Sequence, residues 1–272
     1  MPLTLLLVGC GKMGGALLDG WLAANFETRV VVVEPNIAPY IAPNSAGNAR
    51  VLRCAGADAL PSRLAPDVVV FAVKPQMLAA VVPDYRRFVR PETVFLSIAA
   101  GKPISWFENQ LAPAAAVVRA MPNTPAAVGR GVTVACANGA VTEDQRERCE
   151  SLMRAVGDVA WIDDEALLDP VTAVSGSGPA YVFLVIEALA SAGVAAGLPE
   201  ELAMRLARAT VAGAGELAHR SIDPAAMLRR NVTSPGGTTQ AALEVLMAPD
   251  GLQPLFDRAV AAATKRSREL AG

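Results

Sequence analysis

The stretch that decides the fold is LTLLLVGCGKMG, residues 3–14. It begins with a continuous apolar run, Leu3 to Val8, and ends in three glycines with the spacing GxGxxG. Helix-favouring residues follow from Gly15 to Ala24. A buried strand, a glycine turn and a helix in this order form the fingerprint of a dinucleotide-binding unit, in which the helix N-terminus faces a pyrophosphate. The stretch therefore predicts a Rossmann domain.

Further strands and helices extend this pattern along the chain. The predicted strands are 30–33, 68–73, 94–98, 117–118 and 132–135. Short β-branched runs separated by helix-length segments predict a doubly wound, mostly parallel sheet with helices on both faces. After Asp164 the strand-like runs stop, and helix-start signals open long Ala/Leu-rich segments at 180–196, 199–219, 224–230 and 252–270. We therefore expect an α/β Rossmann domain over residues 1–164 and an all-α domain over residues 165–272.

The glycine turn and the end of the second strand hold the first candidates for cofactor contact. Gly9 allows a tight turn, Gly11 lets the backbone approach a pyrophosphate, and Gly14 lets helix and strand pack closely. Glu34 lies 20 residues after Gly14, where an acid accepts hydrogen bonds from the ribose of NAD. An acid there repels the extra phosphate of NADP, and no Arg lies between Glu34 and Asn48 to bind it, so these residues favour tolerance of NAD. A solvated strand end is the alternative role of Glu34.

The ends of the later strands complete the expected cofactor rim, because ligands in such folds lie outside the carboxyl ends of the strands. Small residues from Ser97 to Gly101 keep this rim low. Lys74 could reach a phosphate or a ribose, or it could be a solvated lysine. The double-proline loop Met121–Pro125 lies beside the expected nicotinamide position, with a plain structural turn as its alternative.

A second glycine-rich stretch, TSPGGTT at 233–239, precedes an apolar, helix-favouring run at 241–247. The first amides of a helix lack intrahelical partners, and the macrodipole is positive at that end, so such a stretch can hold a carboxylate without Arg or Lys. The same residue types are common in ordinary turns and helix caps. The stretch is therefore a candidate anion pocket or a simple cap.

Composition narrows the class of protein. Of the 272 residues, 53% are apolar and 18% are charged, which predicts apolar surface covered by another copy in a homo-oligomer. The net charge of -2 argues against nucleic acid as a partner, since phosphate binding needs an excess of Lys and Arg. No stretch of about 20 apolar residues without breakers stands out, so we expect no membrane-spanning segment.

The four cysteines, Cys10, Cys54, Cys136 and Cys149, are far apart in the sequence. They form neither CxxC pairs nor His-Cys clusters with metal-ligand spacing. We interpret them as reduced, mostly buried thiols of a cytoplasmic protein and expect no metal site.

Several motifs occur together and in order along nearly the whole chain, and with them the sequence resembles pyrroline-5-carboxylate reductase. They are the glycine fingerprint at 9–14, AVKPQ at 72–76, SIAAG at 97–101, RAMPNTP at 119–125, VSGSGPAY at 174–181 and VTSPGGTT at 232–239. The last two are the most specific. The resemblance implies hydride transfer from NADPH or NADH to the C=N bond of 1-pyrroline-5-carboxylate, giving L-proline. It also implies a helical domain that interlocks two subunits, in a homodimer or a larger ring such as a decamer, with active sites that span both subunits.

The same resemblance implies roles for individual residues. Cofactor contacts fall on Gly9, Cys10, Gly11, Lys12, Met13, Gly14, Glu34, Ala72, Val73, Lys74, Pro75, Ala99 and Ala100, and on Asn231 from the helical domain. Substrate contacts fall on Ser234, Gly236, Gly237 and Thr238 for the carboxylate, on Thr239 for the ring nitrogen, and on Glu165 at the domain junction. The turn Glu34-Pro35-Asn36 departs from the basic turn of many family members, which argues against strict dependence on NADPH.

The helical half contains few residues that could act as a general acid or base, and this limits the reactions it can catalyse. A protonated iminium is already electrophilic, so the protein needs only to hold it, orient its carboxylate and supply one hydrogen bond at nitrogen. Between Pro170 and Gly272 the chain has one Lys, Lys265, and one His, His219. A hydroxyacid dehydrogenase, which generally uses Lys or His as a base, is therefore disfavoured. A reductase of a related six-membered cyclic imine and a non-catalytic dinucleotide sensor stay open as alternatives.

Overall fold

The structure is a computed structural model of the 272-residue chain and describes residues 3–24, 27–35 and 48–271. Its contacts define two compact units, one of Met1–Gly176 with Thr264–Gly272 and the other of Ser177–Ala263. The predicted domain boundary after Asp164 stays a prediction. Most of the turn after the second strand, residues 36–47 including Asn36, lies outside the described residues.

The first unit, which we call the sheet unit, is built on one sheet. Its strands are β1 Leu3–Val8, β2 Thr28–Val33, β3 Val51–Cys54, β4 Val68–Phe71, β5 Val94–Ser97, β6 Ala116–Met121, β7 Gly131–Ala137 and β8 Gly157–Trp161. Their order is β3-β2-β1-β4-β5-β6-β7-β8. Within the described ranges β6 and β7 are the one antiparallel pair. The expected doubly wound, mostly parallel sheet is confirmed.

The sequence did not predict β3 or β8. These strands occupy the two edges of the sheet. In β3 only Cys54 is buried, and in β8 no residue is buried. An edge strand is less apolar than a central one because it is not covered on all sides. The continuous apolar runs that marked the central strands are therefore missing here.

Helices cover both faces of the sheet. They are α1 Lys12–Ala23, α2 Leu78–Val81, α3 Ile104–Gln110, α4 Glu143–Arg154 and α5 Leu168–Val171. Alternate residues of β1 enter two separate cores, Leu5 and Leu7 with Trp21 of α1 on one face, and Leu6 and Val8 with Phe107 of α3 on the other. Burial on both faces explains why the strand sequences are apolar at every position.

The second unit, the helical unit, is all-α as expected. It contains α6 Gly178–Ala195, α7 Glu200–Arg220, α8 Ala225–Asn231, α9 Thr238–Leu246 and the first part of α10 Leu252–Ala271. Small residues lie at the contact between α6 and α7, where a Cβ on Gly193 would lie 3.3 Å from Ala203. Elsewhere on α6 the side chains are large, apolar and exposed: Phe183 and Leu184 are 59% and 63% exposed.

The expectation that no segment spans a membrane stays a prediction, because one helical stretch is long and apolar enough to do so by length and composition. Residues Glu165–Ala195 form a continuous helical stretch of 31 residues whose most apolar window has a mean hydropathy of 1.6 and is 6% buried. An apolar helix that is exposed in one chain also suits a subunit interface, where a second copy covers it.

Candidate functional site

Parallel pairing brings the predicted cofactor residues to one edge of the sheet unit. Val8 is opposite both Val33 of β2 and Phe71 of β4, and Phe71 is opposite Ser97 of β5. The segments that follow these strands therefore start side by side: the glycine turn, Glu34, residues 72–75 and residues 98–103. The strand order reverses between β1 and β4, which is where a doubly wound sheet opens its ligand crevice.

The backbone of the glycine turn excludes side chains at two positions. Gly9 has a φ of 91°, and a Cβ on it would lie 2.8 Å from the carbonyl oxygen of Ala72. A Cβ on Gly14 would collide with the carbonyl oxygen of Gly9 and lie 3.2 Å from the Ala72 side chain. These two glycines therefore allow β1, β4 and α1 to approach closely.

The third glycine meets a different requirement. A Cβ on Gly11 would meet no atom within 4 Å, and its φ of -70° is open to any residue. Gly11 is the N-cap of α1, and no side chain caps that helix end. The first amides of a helix also lack intrahelical acceptors. A pyrophosphate fits this cradle, because a side chain at Gly11 would fill the room that the phosphates need.

Glu34 binds the glycine turn itself. Its Oε2 accepts a hydrogen bond of 2.9 Å from the backbone amide of Cys10, and its own amide donates to the carbonyl oxygen of Cys54 on β3. The carboxylate thus fixes the shape of the turn between β1 and α1. The predicted contact with a ribose stays a prediction, and the acid has a structural task beside it.

The Cys10 side chain is buried beneath this turn, with 1% of its surface exposed. Burial raises the pKa of the thiol to about 11, and the nearby Glu34 charge adds to the increase. The thiol is therefore neutral at physiological pH and acts as a small apolar group. Cys10 therefore takes part in the turn through its backbone amide, which bonds Glu34, and not through its thiol.

The rest of the rim has a graded exposure. Ala99 and Gly101 are buried, Ala72, Val73, Pro75 and Ala100 are half-buried, and Lys74 is exposed. Lys74 precedes a short 3₁₀ turn at Pro75–Met77, so its side chain stands at the edge of the crevice. Gly101 has a φ of 83° and a Cβ there would lie 3.1 Å from the Leu270 carbonyl oxygen, which accounts for a glycine at this point.

Two residues of the RAMPNTP motif have contacts that sequence reasoning missed. The Asn123 side chain accepts a 2.9 Å hydrogen bond from the Val132 amide and donates one of 3.2 Å to the Ser175 carbonyl oxygen. It holds the double-proline loop against β7 and against the SGSG segment. The Arg119 guanidinium forms a 2.9 Å ion pair with Glu165. The sequence shows the motif but contains no signal for these partners, which are up to 52 residues away.

Glu165, a predicted substrate residue, lies in the sheet unit. Its Oε1 accepts hydrogen bonds from Arg119 Nη1 at 2.9 Å and from the Ile104 amide at 2.8 Å. Ile104 is the first residue of α3, whose N-cap Pro103 provides no side-chain cap. The carboxylate therefore caps α3 and neutralises a buried arginine.

The predicted carboxylate cradle lies in the helical unit, together with Asn231 at the end of α8. The helix α9 begins at Thr238, with Gly237 as N-cap and no side-chain cap, so the helix start falls inside the TSPGGTT stretch as expected. The amide of Gly236 donates to Gln240 Oε1 at 2.7 Å, and that of Gly237 to the Ser234 carbonyl oxygen at 3.0 Å. By position in the helix, the amides of Thr238 and Thr239 lack an intrahelical acceptor.

Comparison with known proteins places both units in one family. A family model described as "Pyrroline-5-carboxylate reductase dimerisation" matches residues 165–270, and one described as "NADP oxidoreductase coenzyme F420-dependent" matches residues 4–101. A pyrroline-5-carboxylate reductase of Pseudomonas aeruginosa is 40% identical over 264 residues, covering 97% of this chain and 95% of that protein.

Solved structures agree with this result. A pyrroline-5-carboxylate reductase from Coxiella burnetii has a TM-score of 0.88 at 35% identity and covers 98% of both chains. A pyrroline carboxylate reductase of Plasmodium falciparum with NADP bound has a TM-score of 0.80 at 30% identity, covering 99% of this chain and 98% of that chain. The chain therefore belongs to the pyrroline-5-carboxylate reductase family.

Proposed function

We propose that this chain reduces the C=N bond of 1-pyrroline-5-carboxylate with a hydride from NADPH or NADH and releases L-proline. Family membership over nearly the full length supports the activity. The observation that carries the proposal is that two helices, α1 and α9, each begin after a glycine-rich turn with no side-chain cap, so each start can receive an anion. A dinucleotide and a substrate carboxylate each need one such start.

The sheet unit holds the dinucleotide in this proposal. The amides at the start of α1 bind the pyrophosphate, with Lys12 and Met13 following Gly11 in the first turn, and the residues 72–75, Ala99 and Ala100 line the crevice. When bound, the reduced nicotinamide supplies the hydride. Asn231 contacts the cofactor from the helical unit. Glu34 accepts from the adenosine ribose, which leaves NADH acceptable beside NADPH.

The helical unit holds the substrate carboxylate. Ser234, Gly236, Gly237 and Thr238 form the cradle, in which Thr238 supplies an amide with no intrahelical acceptor. Because Gln240 occupies the Gly236 amide, carboxylate binding at Gly236 requires that side chain to move. Thr239 hydrogen-bonds the ring nitrogen, and Glu165 lies near the substrate.

A base is not needed for this reaction. The single His of the chain, His219, is exposed in the last turn of α7, where a cation suits the helix dipole. The protonated imine accepts hydride at carbon, and the proton already on nitrogen remains in the product. Orientation and charge stabilisation are therefore the tasks of the protein.

The exposed apolar face of α6 supports self-association through the helical unit. We propose an interlocked homodimer, alone or within a ring such as a decamer, whose active sites combine the sheet unit of one subunit with the helical unit of another. In this arrangement α6 is covered by protein rather than lipid, so we propose no membrane partner. The net charge of -2 supports the absence of a nucleic-acid partner, and we propose that the chain works in the cytoplasm.

The activity is tested by following NADPH and NADH oxidation with 1-pyrroline-5-carboxylate, its six-membered homologue and a panel of 2-keto acids. We expect turnover with the five-membered imine and none with the keto acids. Turnover with keto acids alone would contradict the proposal. Turnover with the six-membered imine alone would assign the related cyclic-imine activity instead. Cofactor binding without turnover of any compound would indicate a sensor.

Two variants test the assigned cradle. Thr239→Ala is expected to lower kcat by about 100-fold, the cost typical of removing one transition-state hydrogen bond, and to leave NADPH affinity unchanged. Gly237→Val is expected to raise KM for the imine strongly, because its side chain enters the cradle and a Cβ there already lies 3.1 Å from the Ser234 carbonyl oxygen. Loss of NADPH binding in Gly237→Val, measured by fluorescence titration, would show that the cradle is misassigned.

A further inference from the structure

Arg119 is the one charged residue among the buried polar residues of the described chain. It is 8% exposed and lies on β6, opposite Ser97 of the cofactor rim. A buried cation is costly unless it is paired, and a well-packed apolar side chain usually serves stability as well as a buried ion pair does. Stability alone therefore gives weak grounds for an arginine here.

Arg119 donates to one oxygen of Glu165, and that oxygen also accepts a second hydrogen bond. Oε1 of Glu165 accepts from Arg119 Nη1 at 2.9 Å and from the Ile104 amide at 2.8 Å. This oxygen joins three segments of the sheet unit: the end of β6, the start of α3 just after the rim residues 98–103, and the beginning of the turn at 165–167. Two donors at one oxygen fix the plane and the direction of the carboxylate.

The second oxygen of Glu165 has no hydrogen-bond or ion-pair partner within the described ranges. The Glu165 side chain is 28% exposed, so a ligand can reach this oxygen. A carboxylate that is pinned by one oxygen and open at the other is pre-organised for a cationic N–H group. The protonated imine of the proposed substrate carries one such N–H group, which Glu165 Oε2 then shares with the Thr239 hydroxyl.

We propose that Arg119 is a positioning residue: it holds Oε1 of Glu165 so that Oε2 is presented to the substrate. This inference rests on the proposed function. Arg119 does not contact the substrate, because its guanidinium is buried against Glu165. The Ile104 amide assists, which couples the carboxylate to the rim that follows β5.

The test uses Arg119→Met and Glu165→Gln, alone and together, in the full-length enzyme. Arg119→Met is expected to lower kcat/KM for 1-pyrroline-5-carboxylate by about 10- to 100-fold, the cost of misplacing a substrate contact, and to change the NADPH dissociation constant by less than about threefold. Because Arg119 acts through Glu165, the double variant is expected to lose no more activity than Glu165→Gln.

Two further variants separate charge from folding. Arg119→Lys keeps a cation for Oε1 and is expected to recover most of the activity, whereas Arg119→Gln keeps only a neutral donor and is expected to resemble Arg119→Met. If Arg119→Met fails to fold, this pair carries the test. Arg90→Met is the matched control, because Arg90 bonds the Pro66 carbonyl oxygen and Thr93 before β5. It is expected to keep wild-type kinetics.

The inference is overturned by losses that multiply in the double variant, by equal activity of Arg119→Lys and Arg119→Gln, or by a parallel loss of NADPH and imine affinity. Wild-type kinetics in Arg119→Met would do the same. Each of these requires a wild-type enzyme that reduces 1-pyrroline-5-carboxylate. An inactive wild type would instead refute the proposed function, so the two failures are distinguishable.

Discussion

The sheet unit and the helical unit bury their apolar residues in different ways. Leu5, Val69 and Phe95 in the sheet unit are at most 1% exposed within one chain, whereas Phe183 and Leu184 on α6 are 59% and 63% exposed. Burial contributes about 25 cal/mol per Å² of apolar surface, so the exposed face of α6 is stabilised when a second surface covers it. The apolar core of the sheet unit is therefore buried within one chain, whereas the apolar face of the helical unit is buried only when the chain associates.

The same division separates the candidate site residues. The glycine turn and rim belong to the sheet unit, and the TSPGGTT stretch belongs to the helical unit. If each unit carries one ligand, damage to one unit can remove the binding of one ligand and spare the other.

The largest expected effect concerns the two glycines of the turn. Gly14→Val places a side chain against the Gly9 carbonyl oxygen and is expected to cost about 3 kcal/mol or more in the free energy of unfolding. Gly11→Val meets no protein atom within 4 Å at its Cβ and is expected to keep wild-type stability while abolishing NADPH binding. Urea unfolding and fluorescence titration measure the two quantities. Equal stability of the two variants would contradict the packing described for the turn.

The next effect concerns association. Leu184→Glu places a charge on the apolar face of α6 and is expected to shift the protein towards monomers in light scattering, because a buried unpaired charge disfavours the interface. Leu52→Glu on the edge strand β3, where Leu52 is 37% exposed, is the matched control and is expected to leave the oligomer intact. NADPH binding should survive in both. An unchanged oligomer in Leu184→Glu would place the interface elsewhere.

The smallest effect is a loss of stability at alkaline pH that arises in the sheet unit. All four cysteines lie before residue 177, and burial raises the pKa of Cys10 to about 11 and that of Cys149 to about 12, from an ordinary value of 9.0. Above pH 9 the unfolded chain releases thiol protons that the folded chain retains. The free energy of unfolding therefore falls as pH rises from 9 to 11.

Urea titrations at pH 8, 9, 10 and 11 measure this decline. Cys10→Ala is expected to make the decline in the free energy of unfolding shallower, because the folded variant no longer retains the Cys10 thiol proton. NADPH affinity at pH 8 should change little. A decline as steep in Cys10→Ala as in the wild type would show that the Cys10 thiol does not contribute.

Much of the fold followed from the sequence because its signals are local. The run from Leu3 to Val8, the glycine spacing and the proline-opened helices each depend on a few adjacent residues, and all were confirmed. The edge strands β3 and β8 were missed because half-exposed strands lack a continuous apolar run. The antiparallel pairing of β7 with β6 could not be predicted, because strand direction depends on the connection between strands rather than on their composition.

The candidate site could be predicted only in part, because the sequence signals are local. The motifs located Glu34 and the 233–239 stretch, and the family resemblance pointed to Glu165, but the partners of the two acids lie far away in sequence. Glu34 binds the Cys10 amide 24 residues away, and Glu165 binds the Ile104 amide 61 residues away. Hydrogen bonds between distant segments depend on the folded backbone, and a single sequence contains no signal for them.

Mixing two inactive variants tests most directly whether one active site combines a sheet unit and a helical unit from different subunits. Gly11→Val lacks the cofactor site and Thr239→Ala lacks the contact with the ring nitrogen. After co-refolding equal amounts, about half of the dimers are mixed and one of their two sites is intact, so about a quarter of wild-type NADPH oxidation with 1-pyrroline-5-carboxylate is expected. Activity no higher than the sum of the two variants alone, in a mixture shown to contain mixed dimers, would contradict a shared site.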